Sequence, residues 1–205
     1  REVVRRELIA GGYLPIGGGE QTQYSTYTVP GGENYREFLL KLPAQQDVTE
    51  PGVSLGRLVP ETYQSPHWSS DPNTVVHFRA DDRIVITKQG ESLKAFNTIE
   101  FQSDWGQTAQ DIVKDIKRVQ AGLKPAKYKV VADWPKELQD VVVTARGFNT
   151  PEVQAQVASA GWSFYTSNLP PPGPFVGQTD NWVGVAVRKA IQLAAEEGYD
   201  MIAFP

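Results

Sequence analysis

The chain has 205 residues and a mass of 22.7 kDa, is 40% hydrophobic and carries a formal charge of -4, enough apolar sequence for one substantial core. Its pI near 5.3 speaks against a nucleic-acid binder that uses its whole surface; nucleic acid is not indicated, although a local basic patch is compatible with that average. The absence of cysteine excludes disulfides, thiol catalysis and cysteine-ligated metal, and no stretch is long and apolar enough to cross a bilayer as a helix.

Glu2 to Ala10 reads as a short charged helix, and Gly11-Gly12 with Gly17-Gly18-Gly19 interrupts regular structure, so residues 1–23 are expected to form a helix and a Gly-rich connector. The glycines read as a flexible connector in preference to a phosphate loop, because no Gly-Lys-Ser/Thr follows them and no apolar strand feeds the turn. Pro30-Gly31-Gly32 marks a tight turn. The strand pattern after it places Tyr35, Glu37, Leu39 and Lys41 on one face and Arg36, Phe38, Leu40 and Leu42 on the other. Ala44 to Asn73 is polar and proline-punctuated, a surface excursion or lid that contains His67-Trp68.

Thr74 to Arg79 is a second strand, Asp81-Asp82 a turn, and Arg83 to Thr87 a third strand. In the next strand, alternation assigns Phe96, Thr98, Glu100 and Gln102 to one face; Ser103 and Asp104 fall where the chain turns. Thr108-Ala109-Gln110-Asp111 has the spacing of a capping box and opens a helix to Ala121, stopped by Gly122. Tyr128 to Ala132 and Asp140 to Ala145 are apolar runs bracketing Pro135, Thr150-Pro151-Glu152 opens a helix closed by Gly161, and Trp162 to Thr166 reads as a strand, so Val141 to Thr166 is expected to form a strand-helix-strand unit within an insertion at residues 122–172. A last helix, Trp182 to Glu197, carries Val183, Val187, Ala190, Ile191 and Ala194 on one stripe, and Met201 to Phe204 forms the closing strand. The expected fold class is α+β: a mixed, largely antiparallel sheet packed by two or three helices, in a single domain over residues 24–205.

The densest polar constellation lies at the end of the Glu100 strand. Glu100 and Asp104 are candidate catalytic carboxylates with His77 as proton carrier, since a carboxylate beside a histidine does general acid–base work. Arg36 or Arg79 would hold an anionic group, with Gln102 and Ser103 completing a substrate site. The competing account makes Glu100 and Arg79 a cross-strand ion pair, gives Gln102 and Ser103 to turn backbone, and leaves Asp104 as a helix cap. His67 and His77 are ten residues apart in different elements, so no metal site is assigned, and no cofactor is identified. His67-Trp68 either stacks on a ligand ring or pins its loop to the body. Lys114, Lys117 and Arg118 are interrupted by Asp111 and Asp115 and read as a solvated helix face.

Several of these pieces together resemble a domain of very long phage and prophage proteins called polyvalent proteins. The matching residues are Pro30 to Glu37, His67-Trp68, Asn73, His77-Phe78-Arg79, Glu100 to Trp105, Pro174-Phe175, Trp182 and Ala194 to Ala203. Gly106 departs from the family pattern, which usually places a histidine there, and the Thr-Gly segment usual after the last strand is not present. The resemblance implies a segment of a longer polypeptide, carried in the virion or acting in the host cytoplasm. Its implied partners are other domains of that polypeptide, phage structural proteins or a host component. Three functions remain open: a module that binds or modifies a host component, a hydrolase or group-transferase acting on a nucleotide-like or phosphorylated substrate, and a structural virion protein.

Overall fold

The structure, a computed structural model, describes residues 4–9, 12–15, 23–42, 63–147, 150–166, 169–171, 173 and 175–205. The Gly17 to Gly19 connector and residues 43–62 of the long polar excursion lie outside them. The chain divides into two compact units. The first holds Arg1–Leu42, Thr74–Ser103 and Val183–Pro205; the second holds Pro43–Asn73 and Asp104–Trp182.

The first unit is built on a sheet. Its opening strands are β1 (Val4–Ile9) and β2 (Gly12–Pro15), so the N-terminal segment is a hairpin and not the helix its charge pattern suggests. The reason is tertiary: β1 pairs in parallel with β3 (Glu33–Lys41), from Val4 opposite Arg36 to Ile9 opposite Lys41, and this ladder overrides a weak local helix preference. β4 is one 13-residue strand, Thr74–Ile86, and not a hairpin turning at Asp81-Asp82. Both aspartates are held by sheet neighbours, which keeps the chain extended through them. The hairpin turn lies instead at Thr87 to Glu91, where Gly90 has a φ of 84° and Thr87 N–H donates to the Glu91 carbonyl. β5 (Ser92–Gln102) returns antiparallel to β4.

The second unit is helical among its described residues. Its first helix, α1 (Asp104–Gln120), starts at Asp104, one turn before the capping box, and ends at Gly122 with a φ of 74°. Residues 122–172 contain no strand among those described: a 3₁₀ turn at Lys129–Asp133 leads to α2 (Lys136–Thr144), α3 (Pro151–Ser159) and α4 (Ser163–Thr166). The runs Tyr128 to Ala132 and Asp140 to Ala145 supply apolar residues to a helical core, whereas Trp162 to Thr166 leads into the short α4, which has no buried residue. Val131, Trp134, Leu138 and Val142 meet Ile112, Val113 and Ile116 of α1 and Val153 and Val157 of α3 in one core. The Thr150 cap forms as expected, accepting from Val153 N–H at 3.3 Å with Pro151 in the first turn.

α5 (Thr179–Glu196) and β6 (Met201–Ala203) complete the chain. Within the first unit α5 buries Ala186, Ala190, Leu193 and Ala194, while Ile191 is 49% exposed. The buried stripe is thus rotated from the expected one toward small residues, which permit close approach. The sheet order is β2-β1-β3-β4-β5-β6, with β1–β3 and β5–β6 parallel and the remaining pairs antiparallel, a mixed and largely antiparallel sheet in an α+β fold. Among the described residues, no helix is long and apolar enough to cross a membrane.

Asp115 fixes the turn after α1. Its carboxylate is 2% exposed and accepts from the N–H groups of Ala126, Lys127 and Tyr128 at 2.7, 2.7 and 2.6 Å. Burial alone would raise its pKa, but the three donors outweigh it and hold the carboxyl below the ordinary value of 3.8. A depressed carboxyl pKa stabilises the fold above the unfolded value, and that stability is lost as pH falls through the lower folded value. Asp115→Asn is expected to lower unfolding free energy by about 2–4 kcal/mol in urea titration at neutral pH. The parent should lose stability as pH falls below about 4 more steeply than the variant.

Candidate functional site

Strand register sets the polar face of the sheet. Glu37 of β3 stands opposite Arg79 of β4, which stands opposite Glu100 of β5; in the adjoining row Leu39, His77 and Gln102 are abreast. The β4–β5 register then passes from Arg79 opposite Glu100 to Ala80 opposite Thr98. Ile99 is the extra residue of a bulge, and it resets the alternation. Glu100 and Gln102 therefore share a face with Arg79 and His77, as the spacing suggests, but Phe96 and Thr98 belong to the opposite face with Ala80 and Arg36.

Most of this polar face is spent on holding residues 23–32. Glu37, fully buried, accepts from the backbone N–H groups of Gln23 and Tyr24 at 3.1 and 2.6 Å and from the Tyr35 hydroxyl at 3.0 Å. Burial keeps the Tyr35 hydroxyl protonated by pushing its pKa above the ordinary phenol range. Arg79 donates to Glu100 at 2.9 Å and to the Tyr27 carbonyl at 3.4 Å. Arg83 donates to the carbonyls of Val29 and Pro30 and is itself held by Asp81, which also accepts from Asn97. Gly32 passes so close that a Cβ there would lie 1.9 Å from an Asp81 carboxylate oxygen. His77 is 2% exposed, with its ring 5.5 Å from that of Tyr24. Burial puts this ring out of contact with bulk solvent, which counts against the expected proton-carrying role.

The other expected binding residues have structural positions. Arg36 lies on the opposite face, 1% exposed, donating to Glu197 at 2.6 Å, Asp82 at 2.9 Å and the Tyr199 hydroxyl at 2.6 Å. It is a buried network centre and not an open anion holder. Ser103, also 1% exposed, donates its hydroxyl to the Val75 carbonyl at 2.5 Å, tying the end of β5 to β4. Glu100, 42% exposed, pairs with Arg79 in the cross-strand manner of the competing account.

Asp104 belongs to the second unit, and its partners come from the segment before β4. His67 Nδ1 lies 3.0 and 2.9 Å from the two Asp104 carboxylate oxygens, and the Ser65 hydroxyl donates to the same carboxylate. Ser65 Oγ in turn accepts from the backbone N–H groups of His67 and Trp68 at 3.1 and 3.2 Å. The segment is closed by reciprocal bonds, Tyr63 N–H to the Asn73 side chain at 3.0 Å and Asn73 N–H to the Tyr63 carbonyl at 2.8 Å. Tyr63 stacks on Trp105 of α1 with ring centroids 4.6 Å apart, which brings Ser65 and His67 to the start of that helix. Burial, aided by the Asp104 charge, pushes the Tyr63 hydroxyl up to about 12.

The Asp104 side chain is 11% exposed, whereas that of His67 is 50% exposed. A carboxylate on Nδ1 favours the tautomer with the proton on that nitrogen, leaving Nε2 of the neutral ring as an acceptor. The arrangement is a carboxylate-oriented imidazole, able to take up and return a proton. Sequence reasoning selected Asp104 but paired it with His77; the available signal was the Ser65-Pro66-His67-Trp68 run, whose compact turn cannot be inferred from spacing. Among the described residues, no group of three His, Asp or Glu side chains is placed to hold a metal ion.

The strap across the sheet makes a separate prediction. Glu37→Gln removes the charge that receives the Gln23 and Tyr24 amides; both amides are expected to exchange with solvent about tenfold faster or more, while amides of β4 and β5 stay protected. Native-state hydrogen exchange measures both. When the chain is compared with known proteins, no family model matches it, and neither a curated protein nor a solved structure does.

Proposed function

We propose that this chain is an acid–base module of a phage-encoded multidomain protein, and that it modifies a host component by hydrolysis or group transfer. The observation that carries the chemistry is the contact between Asp104 and the half-exposed His67 ring. The phage context is supported by the likeness of Gly31 to Glu37 and of Gln102 to Trp105 to motifs of polyvalent proteins. Virion or host cytoplasm, and neighbouring domains of one long polypeptide, follow from that likeness alone.

In the hydrolytic form, His67 Nε2 accepts a proton from water as the water oxygen bonds to an acyl or phosphoryl centre. The imidazolium then gives that proton to the leaving oxygen as its bond to the centre breaks. Asp104 steadies the imidazolium while it exists, and Ser65 fixes the carboxylate. Residues 23–32 and the sheet beneath them act as scaffold.

A second reading is favoured by the Glu100–Arg79 pair and the burial of His77: the chain binds a host or virion component without altering it. The two readings separate in one assay. Activated aryl ester, phosphomonoester and phosphodiester substrates are incubated with the parent, His67→Gln, Asp104→Asn and Glu100→Gln. The acid–base reading expects turnover by the parent and Glu100→Gln, a loss of about 10²–10⁴-fold in His67→Gln, and a smaller loss in Asp104→Asn. Equal rates in the parent and His67→Gln would sink it and leave the binding reading.

A further inference from the structure

The second unit contains a cleft that the acid–base reading does not use. Its volume is about 680 Å³, and its lining includes Val141, Thr144 and Arg146 around the end of α2, Val153 and Gln156 of α3, and Gln178. This is within the size range of small-ligand sites. Its walls have three chemical parts: an apolar surface from Val141, Ala145 and Val153, hydrogen-bonding groups from Thr144 and Gln156, and a guanidinium from Arg146.

The backbone that presents Arg146 is tightly determined. Arg146 has a φ of 56°, a left-handed conformation uncommon for a residue with a side chain. It is held by two glutamines. Gln110 donates its amide to the carbonyls of Arg146 at 3.2 Å and Gly177 at 3.1 Å, and Gln178 donates to the Ala145 carbonyl at 3.2 Å. Gly147 is pressed against Gly177 so closely that a Cβ would lie 2.1 Å from its carbonyl oxygen. Arg36, Arg79 and Arg83 each pair with a carboxylate. Among the described residues the Arg146 guanidinium has no side-chain partner, although its own backbone is clamped. Asp140, the acid in the lining, accepts from Gln120 at 2.9 Å.

We infer that this cleft binds a small organic anion, with a carboxylate or phosphate head on Arg146 and an apolar body against Val141, Ala145 and Val153. The planar guanidinium suits a two-oxygen head, and Thr144 and Gln156 supply hydrogen bonds beside it. The backbone clamp fixes the point from which the Arg146 side chain leaves the main chain at the cleft, while the exposed side chain itself orders on binding. The inference does not depend on His67 or on turnover.

Amide chemical shifts of the full chain, titrated with phenyl phosphate, benzoate, inorganic phosphate and neutral benzyl alcohol, test it. Phenyl phosphate or benzoate is expected to shift Thr144, Ala145, Arg146 and Gln156 saturably, and whichever binds more tightly identifies the head group. Inorganic phosphate and benzyl alcohol should each bind at least about tenfold more weakly, since each lacks one half of the ligand. Arg146→Asn, a residue type that tolerates left-handed backbone, should weaken the aromatic anion about tenfold or more without changing the melting temperature. Thr144→Glu, an exposed change that adds negative charge at the cleft, provides a second test and should weaken the same ligand. Unshifted cleft amides with both aromatic anions would overturn the inference, as would undiminished binding in both variants. Equal affinity for inorganic phosphate and phenyl phosphate would reduce the cleft to a simple anion site and overturn the organic ligand.

Discussion

A buried guanidinium governs how the first unit closes. Arg36 sits in β3 with its charge over the Phe96 ring at 5.1 Å, and such a charge is tolerated only when its partners come with it. Those partners are distant in the chain: Asp82 from β4, and Glu197 and Tyr199 from the segment after α5. Tyr199 also donates to Asp82 and meets Phe96 edge-on at 5.2 Å, so the cluster is hydrogen-bonded and aromatic together. Closing it delivers the chain to β6. Gly198, with a φ of 72°, makes the turn; Lys94 N–H then donates to the Asp200 carboxylate and Asp200 N–H to the Lys94 carbonyl, beginning the parallel β5–β6 ladder. The run Glu197-Gly198-Tyr199-Asp200 is explained by this closure.

Three acids elsewhere repeat one device, the attachment of an irregular segment to a regular element. Glu37 holds the backbone at Gln23 and Tyr24, Asp115 holds Ala126 to Tyr128, and Asp104 holds Ser65 and His67. A charged acceptor makes each bond roughly twice as strong as a neutral one, which suits segments that lack a ladder of their own. The three differ in what they hold. Glu37 and Asp115 are each 2% exposed or less, and both receive backbone amides, with the Tyr35 hydroxyl a further donor to Glu37. Asp104 holds a side chain whose other edge is accessible.

The parts legible in the sequence are those set by local pattern. The β3 alternation, the cap at Thr150 and the stops at Gly122 and Gly198 all depend on neighbours within a few residues. The misread parts depend on distant contacts. Val4 to Ile9 is charged enough for a helix until β3 offers it an edge, and Val131 and Val142 form strand-like runs until α1 gives them a helical core. The Ile99 bulge is silent in the sequence because its existence depends on β4 register, yet it decides that Glu100 and Thr98 face opposite ways. At the candidate site, Asp104 was legible because it marks a strand-to-helix junction. His67 was not, because 37 residues separate it from its carboxylate.

The choice between the two acids singled out at the end of β5 turns on the chemistry of their partners. Glu100 meets Arg79, and a guanidinium stays protonated across the working range of proteins, so that pair cannot carry a proton cycle. Being part-exposed, it contributes at most about 1 kcal/mol to the sheet. Asp104 meets an imidazole, the side-chain type that both accepts and releases a proton, through the nitrogen that leaves the other edge available. The Asp104 carboxylate is secured by Ser65, and Ser65 by two backbone amides, so the ring is aimed by a chain of bonds instead of by one flexible contact. A loop that only needed pinning would be served by Trp68, which is 5% exposed, with its neighbour free to be any residue. Orienting a half-exposed histidine beside that buried tryptophan adds little to packing, and the proposed proton transfer is a role that would use the orientation.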